Sequence, residues 1–140
     1  MSEQRSIPEG FGPIFRTSPF LDSVGVFYSR GMGTDMRIGV FVEARATNAR
    51  GLAHGGFLSG LCDIALGYAT ATSQTPNVRL ITASMSIDFA GAAKIGDWVE
   101  SSVELQHLGR QMGFANAYLH VNERRIVRAS AVFARAAESA

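Results

Sequence analysis

Hydrophobic and polar residues alternate with two different periods along this chain. Phe57, Leu61, Ile64 and Tyr68 recur at spacings of three and four, which is one stripe of an amphipathic helix. We therefore predict a helix over about 55–73. Alternation with a period of two, which is typical of half-buried strands, occurs in 36–45, 79–89 and 98–107. We also predict strands over 24–28, 112–121 and 126–135.

Turn residues separate these segments. Gly31 and Gly33 precede the second predicted strand, Thr75-Pro76-Asn77 closes the helix, and 122–125 has the length and polarity of a hairpin turn. A short turn or helix is expected over 14–21. One long apolar helix beside several half-buried strands predicts an α+β fold, in which an antiparallel sheet wraps around the helix.

The central helix contains an isolated acidic residue and several glycines. Asp63 is the only formally charged residue within 52–78, so we expect its carboxylate to be buried. Gly56, Gly60 and Gly67 lie at spacings of four and seven. Each glycine costs about 1 kcal/mol relative to alanine inside a helix, so we expect backbone or a ligand to approach that side closely.

The start of this helix is a candidate electrophilic site. His54, Gly55 and Gly56 stand there, where the first backbone N–H groups have no partner within the helix and the helix dipole is positive. Such an end stabilises an oxyanion. A carboxylate in apolar surroundings is suited to act as a general base or nucleophile. Together the two features form a hypothesis of an active site.

Composition narrows the possible functions. A chain of 140 residues with 46% hydrophobic and 18% charged residues is typical of one globular domain. We expect 1–20 to be an N-terminal lead-in and 21–140 to be that domain. A net charge of +1 gives no general attraction to nucleic acid or membranes. Because Cys62 is the only cysteine and no secretory signal is visible, we expect a cytoplasmic protein.

Other kinds of site find no support in the sequence. His54, His107 and His120 lie on separate segments without the spacing of metal ligands. The chain has no G-x-S-x-G motif, and Cys62 has no evident base beside it. We therefore expect neither a metal nor a cofactor.

Several motifs together resemble a known family. They are Asn48, Gly51, His54-Gly55-Gly56 and Asp63, followed by 93–97 and 107–110. This combination is similar to the signature of the hotdog-fold thioesterases of the phenylacetate-pathway and 4-hydroxybenzoyl-CoA type. The resemblance covers about residues 20–135.

The resemblance implies a hotdog fold that hydrolyses an acyl-CoA thioester to the free acid and CoA. The site would lie between two subunits of a homodimer, and dimers would pair into a homotetramer. The Gly55 N–H would polarise the thioester carbonyl, while His54 and Asn48 shape that end of the site. Asp63 of the facing subunit would activate water or attack the carbonyl, with Thr82 holding the water or orienting Asp63.

Substrate contacts are expected at Gly56, Phe57, Phe89 and Arg110, the last of these near the CoA phosphates. The aromatic residues fit an aryl or a medium-chain acyl group equally well. The alternative function is a non-catalytic acyl-CoA-binding or regulatory hotdog protein. A protein that only binds an uncharged acyl group gains nothing from a desolvated carboxylate beside it. The presence of Asp63 therefore favours an enzyme over a binding protein.

Structural roles remain open for the same residues. Asn48 could serve as a turn residue rather than contact substrate. His54 could likewise anchor the loop through a hydrogen bond instead of contacting substrate. Thr82 fits an ordinary strand position. Arg110 could simply be a solvent-exposed charged residue in a turn.

Overall fold

One long helix, α2 (Gly55–Ala71), packs against an antiparallel sheet of seven strands in the computed structural model, which describes residues 6–136. A short helix, α1, spans Pro19–Val24. The predicted α+β class, with a sheet around one central helix, is confirmed, because α2 contacts β3 through β7. The strands are β1 (Gly12–Pro13), β2 (Phe27–Arg30), β3 (Arg37–Phe41), β4 (Leu80–Phe89), β5 (Trp98–Leu108), β6 (Met112–Val121) and β7 (Arg124–Arg135).

The strand order in the sheet is β1-β2-β3-β5-β6-β7-β4. β4 directly follows α2 in the chain, yet it lies at the far edge of the sheet and pairs with β7, with Leu80 opposite Arg135 and Phe89 opposite Val127. Within residues 6–136, no strand pairs with the other side of β4. The sheet therefore ends in a ten-residue edge strand.

α2 buries one side and leaves the other partly open. Its start is capped by His54, and its last turn is held by Thr72, whose hydroxyl donates to the Tyr68 carbonyl at 2.8 Å and accepts from the Gly33 N–H at 2.8 Å. The buried side chains are those of Phe57, Leu58, Leu61, Cys62, Ala65, Leu66, Ala69 and Thr70. The open side contains Asp63 and the glycines, so their spacing marks a face that the single chain does not bury in its core.

The boundaries of several predicted elements differ from the observed ones. β3 ends at Phe41 because Val42 turns to the loop before β5, where its N–H donates to the Asp97 carbonyl at 2.9 Å. Val24 ends α1 rather than starting a strand. The β6–β7 turn contains only two residues, 122–123, and Asn122 has a φ of 55°, which asparagine tolerates better than most residues.

The prediction that the strand over 79–89 is half-buried holds only in part, because Met85 and Ile87 pack half-buried against the core while the rest of the predicted apolar face is exposed. Both faces of β4 are largely accessible, and Ile81 and Phe89 are 61% and 53% exposed. The alternation is present in the sequence, but this edge strand is covered along only part of one face. A long apolar edge strand is a surface on which another strand can pair.

The predicted N-terminal lead-in is partly described. Residues 1–5 lie outside the described range, as do 137–140 at the other end of the predicted domain. Gly12–Pro13 pairs with β2, and the Phe15 ring lies 5.1 Å from the Tyr68 ring on α2. This segment therefore packs against both the sheet and the helix, and the domain boundary at residue 20 stays a prediction. No helix within 6–136 combines the length and hydropathy needed to cross a membrane.

Thr70 places an unpaired hydroxyl group in the core of the single chain. Its hydroxyl is fully buried on α2 and has no hydrogen-bond partner among the described residues. We expect Thr70→Val, which keeps the shape and removes the unpaired hydroxyl, to raise the free energy of unfolding by about 1 kcal/mol. Urea denaturation at fixed protein concentration measures this.

Thr70→Ser is the matched control for that substitution. It keeps the hydroxyl and removes a buried methyl group, so it should lower the free energy of unfolding by about 1 kcal/mol. A less stable Thr70→Val protein would mean that the hydroxyl forms a hydrogen bond in solution.

Candidate active site

Asp63 and Thr82 form the first half of the candidate site. β4 runs beside the open face of α2, and the Thr82 hydroxyl donates a hydrogen bond to Asp63 Oδ1 at 3.0 Å. The prediction that Asp63 is buried is wrong for the single chain, in which its side chain is partly exposed. Thr82 of β4 contacts the carboxylate, and Asp63 also lines a cleft.

The cleft has a volume of about 630 Å³ and lies between the N-terminal segment, α2 and the start of β4. One wall is aromatic, with Phe15 against Tyr68. Gly67 lies in the lining, and a Cβ at this position would meet no atom within 4 Å. Two cations, Arg16 and Arg79, also line the cleft. Sequence reasoning missed both, because they are far from Asp63 in the chain and belong to no motif.

The start of α2 forms the second half. The His54 Nδ1 accepts a hydrogen bond from the Gly56 N–H at 2.8 Å, and the His54 carbonyl accepts one from Leu58. Since Nδ1 is an acceptor, the neutral imidazole carries its proton on Nε2. The Gly55 N–H donates to no acceptor among the described residues, and it is therefore available to a ligand.

Two other predicted residues lie around this helix start. Asn48 holds the preceding loop, because its Oδ1 accepts from the N–H groups of Arg50 at 2.9 Å and Leu52 at 3.2 Å. This contact supports the structural role considered for Asn48. The Phe89 ring, at the end of β4, approaches to 3.5 Å from the position of a Cβ on Gly55. β4 thus contacts α2 near both halves of the candidate site.

A smaller cavity of about 260 Å³ lies beside the start of α2. It is lined by Phe20, Val24, Arg45, Ala46, Thr47, His54, Gly56 and Phe57. Phe57 is only 4% exposed and also packs on Phe27 in the core. Arg110 is exposed in the turn between β5 and β6 and lines neither cavity.

The two halves are too far apart to act together within one chain. Gly55 and Asp63 are separated by eight residues of α2 (63 − 55), which is about 12 Å along the helix axis. A carbonyl oxygen within hydrogen-bond distance of the Gly55 N–H is therefore out of reach of the Asp63 carboxylate of the same chain.

Other nucleophiles and ligands in the chain are poorly suited to catalysis. Burial, assisted by the nearby Asp63 carboxylate, raises the pKa of the Cys62 thiol to about 12, so the reactive thiolate is absent at neutral pH. His120 bonds Ser102 at 2.9 Å on another part of the sheet, and burial lowers its pKa, with Arg125 and Arg37 adding to the effect. The described residues contain no group of three His, Cys, Asp or Glu side chains able to hold a metal.

Comparisons with known proteins agree with this architecture. Residues 50–127 match the family model described as the thioesterase superfamily. A Pseudomonas aeruginosa protein named "Putative esterase PA0474" is 42% identical over 129 residues, which cover 91% of this chain and 96% of that protein.

Solved structures show the same fold. The PaaI protein from the phenylacetic acid degradation operon of E. coli has a TM-score of 0.68 at 21% identity, covering 73% of this chain and 72% of that one. A hypothetical thioesterase from Streptococcus pneumoniae, solved with coenzyme A, has a TM-score of 0.73 at 23% identity, covering 81% and 91%. The predicted hotdog fold is confirmed.

Proposed function

The chain belongs to the thioesterase superfamily, and we propose that it hydrolyses acyl-CoA thioesters at a site shared by two subunits. Thioester or ester hydrolysis agrees with both the family model and the esterase relative. The observation that carries the finer proposal is the hydrogen bond from Thr82 to the Asp63 carboxylate in an open cleft. The unpaired Gly55 N–H, about 12 Å along the same helix, supplies the complementary half.

The proposed chemistry needs one hydrogen-bond donor and one carboxylate. A thioester carbonyl is electrophilic and thiolate is a good leaving group, so the Gly55 N–H at the positive end of α2 stabilises the developing oxyanion. The Asp63 carboxylate removes a proton from the attacking water or attacks the carbonyl carbon itself. Thr82 is a positioning residue, because its hydroxyl fixes one carboxylate oxygen.

Pairing of two β4 strands would bring the two halves together. α2 and β4 run in opposite directions, so Gly55 lies near Phe89 while Asp63 lies near Thr82. In an antiparallel pair of identical strands, the start of one lies opposite the end of the other. Asp63 and Thr82 of one subunit would then approach Phe89 and Gly55 of the partner subunit.

The exposed edge of β4 supports this dimer. Its apolar side chains Ile81 and Phe89 are more than half exposed in the single chain, and its outer edge has no strand partner within residues 6–136. A two-fold dimer would use the same surface on both copies and would cover this edge. It would also desolvate Asp63 from the side that is open in one subunit.

We assign the CoA moiety to the larger cleft. Arg16 and Arg79 line it, and guanidinium groups bind phosphate oxygens well. The Streptococcus pneumoniae protein of the same fold was solved with coenzyme A, which supports a CoA ester as substrate. The contact earlier expected at Arg110 stays a prediction.

We also propose that dimers pair into a homotetramer and that the protein is located in the cytoplasm. A buried, unpaired Cys62 is consistent with a reducing compartment.

A subunit-mixing experiment tests the shared site. A dimer of one Asp63→Asn subunit and one Gly55→Pro subunit has both defects in one site and none in the other. Random assembly of equal amounts makes half the dimers mixed, so we expect about a quarter of wild-type thiol release from acyl-CoA. The two variants carry different affinity tags and are co-expressed. The thiol release of this randomly assembled mixture is compared with that of each variant expressed alone.

The control pairs each variant with itself, bearing the two different tags, and should regain no activity. Mixed dimers as inactive as their parents would contradict a shared site. No thiol release from any acyl-CoA by the wild-type protein would contradict the proposed substrate class itself.

A further inference from the structure

The smaller cavity beside α2 has the character of a pocket for an apolar group. Phe20, Val24 and Phe57 contribute large apolar side chains to its lining, and its volume is about 260 Å³. Pockets that hold drug-sized ligands measure roughly 300–1,000 Å³. This cavity is therefore suited to one part of a substrate rather than to a whole acyl-CoA molecule.

The side chains of Arg45 and Thr47, which line the cavity, already have partners. Arg45 donates to the Asp22 carbonyl at 2.8 Å and to Glu43 Oε2 at 3.3 Å. The Thr47 hydroxyl donates to the Ala44 carbonyl at 2.7 Å. Since Arg45, the arginine in the lining, already has an acidic partner, a ligand carboxylate would lose its hydration without gaining an unpaired cation. The cavity favours an uncharged group.

The position of the cavity relates it to the proposed reaction. His54 and Gly56, which flank Gly55 in the chain, both line it. A carbonyl oxygen held by the Gly55 N–H thus lies within one residue of the cavity wall, so the acyl substituent can enter the cavity while the sulfur points away.

We infer that this cavity binds the acyl group of the substrate, as an uncharged apolar acyl chain or ring, and that Phe20 sets the size accepted. This inference rests on the proposed function, with the acyl group on the subunit that contributes Gly55. The CoA moiety then extends into the cleft of the subunit that contributes Asp63.

Phe20 is placed to act as a specificity-determining residue. It lies on α1, whose start is capped by Ser18, and its ring approaches to 2.9 Å from the position of a Cβ on Gly60. Glycine at position 60 therefore lets the ring lie directly on α2. Because Phe20 is 55% exposed, its ring forms a wall of the cavity rather than part of the core, and its removal enlarges the cavity with little loss of packing.

The test compares kcat/KM across straight-chain acyl-CoAs of increasing length, phenylacetyl-CoA and succinyl-CoA. For Phe20→Ala we expect the ratio of kcat/KM for long over short acyl groups to rise at least about tenfold. Phe20→Leu should give a smaller rise. Wild-type protein should strongly prefer butyryl-CoA to succinyl-CoA, whose acyl group ends in a carboxylate.

Phe15→Ala is the matched control, because Phe15 is a similarly exposed ring, at 53%, that lines only the larger cleft. It should leave the chain-length ratio unchanged. An unchanged ratio in Phe20→Ala, or equal use of succinyl-CoA and butyryl-CoA, would overturn the acyl pocket while Asp63-dependent hydrolysis stands. Absence of hydrolysis with every acyl-CoA would instead overturn the proposed function, and this inference with it.

Discussion

Replacing Asp63 with asparagine should lower kcat for acyl-CoA hydrolysis at least about a hundredfold, which is roughly 2.7 kcal/mol of transition-state stabilisation. The carboxamide has nearly the same shape as the carboxylate, and its oxygen can still accept the Thr82 hydroxyl bond seen at 3.0 Å. It cannot remove a proton from water or act as a nucleophile at neutral pH. The loss should therefore fall on kcat, with little change in KM.

The measurement is free-thiol release over a panel of aryl- and fatty-acyl-CoAs. Circular dichroism, thermal unfolding and size-exclusion chromatography must show that Asp63→Asn folds and assembles as the wild type does. If this variant keeps full activity, Asp63 is not the catalytic acid. If it loses hydrolysis but still binds acyl-CoA, the assignment of an enzyme rather than a binding protein is strengthened.

Gly55→Pro should lower kcat by about 10²–10³-fold, the usual cost of removing one oxyanion donor. Proline removes the N–H but suits the first position of a helix. His54, the residue before it, has φ −67° and ψ 138°, which is the extended conformation that a residue preceding proline prefers. We therefore expect α2 to keep its start and the protein to keep its thermal stability.

Gly55→Ala is the control that separates the N–H from the side chain. It keeps the donor, and its Cβ would lie 3.5 Å from the Phe89 ring, an ordinary van der Waals contact. Activity within a few-fold of the wild type is expected for alanine, together with unchanged unfolding for both variants. Equal losses in the two variants would show that space at Gly55 matters rather than its N–H.

These two substitutions remove different halves of one proposed site. Asp63 sits beside the first residues of β4 and Gly55 beside the last. If both losses occur in kcat, the subunit-mixing experiment then decides whether the halves act across an interface. A fully active monomer would contradict that arrangement.

The helix and most strands follow from local pattern, because their periodicity depends on residues close together in the chain. The stripe from Phe57 to Tyr68 predicts a helix over 55–73, and α2 spans Gly55–Ala71. The strand predicted over 112–121 is β6. The chemical character of Asp63 and of the helix start could also be recognised, since an isolated acid and a glycine-rich helix start are local features.

The exposure of Asp63 could not be predicted in this way. Apolar neighbours in the sequence suggested burial, but Leu61, Cys62 and Leu66 face the core on the other side of α2, while Ile64 lines the same cleft as Asp63. Only the path of the chain after α2, to the far edge of the sheet, brings Thr82 to Asp63 and leaves β4 open. The burial of a side chain depends on every element packed near it, and local pattern describes only one.

Local sequence pattern is enough to identify which residues form the helix and most strands, which family the chain resembles, and which chemical groups are candidates for catalysis. Three features depend on the folded arrangement of distant segments: β4 is an exposed edge, Arg16 and Arg79 line the cleft, and the Phe20 ring lies on Gly60. These features join segments distant in the chain, and such contacts depend on which surfaces the whole fold buries together. Local periodicity carries no information about that choice.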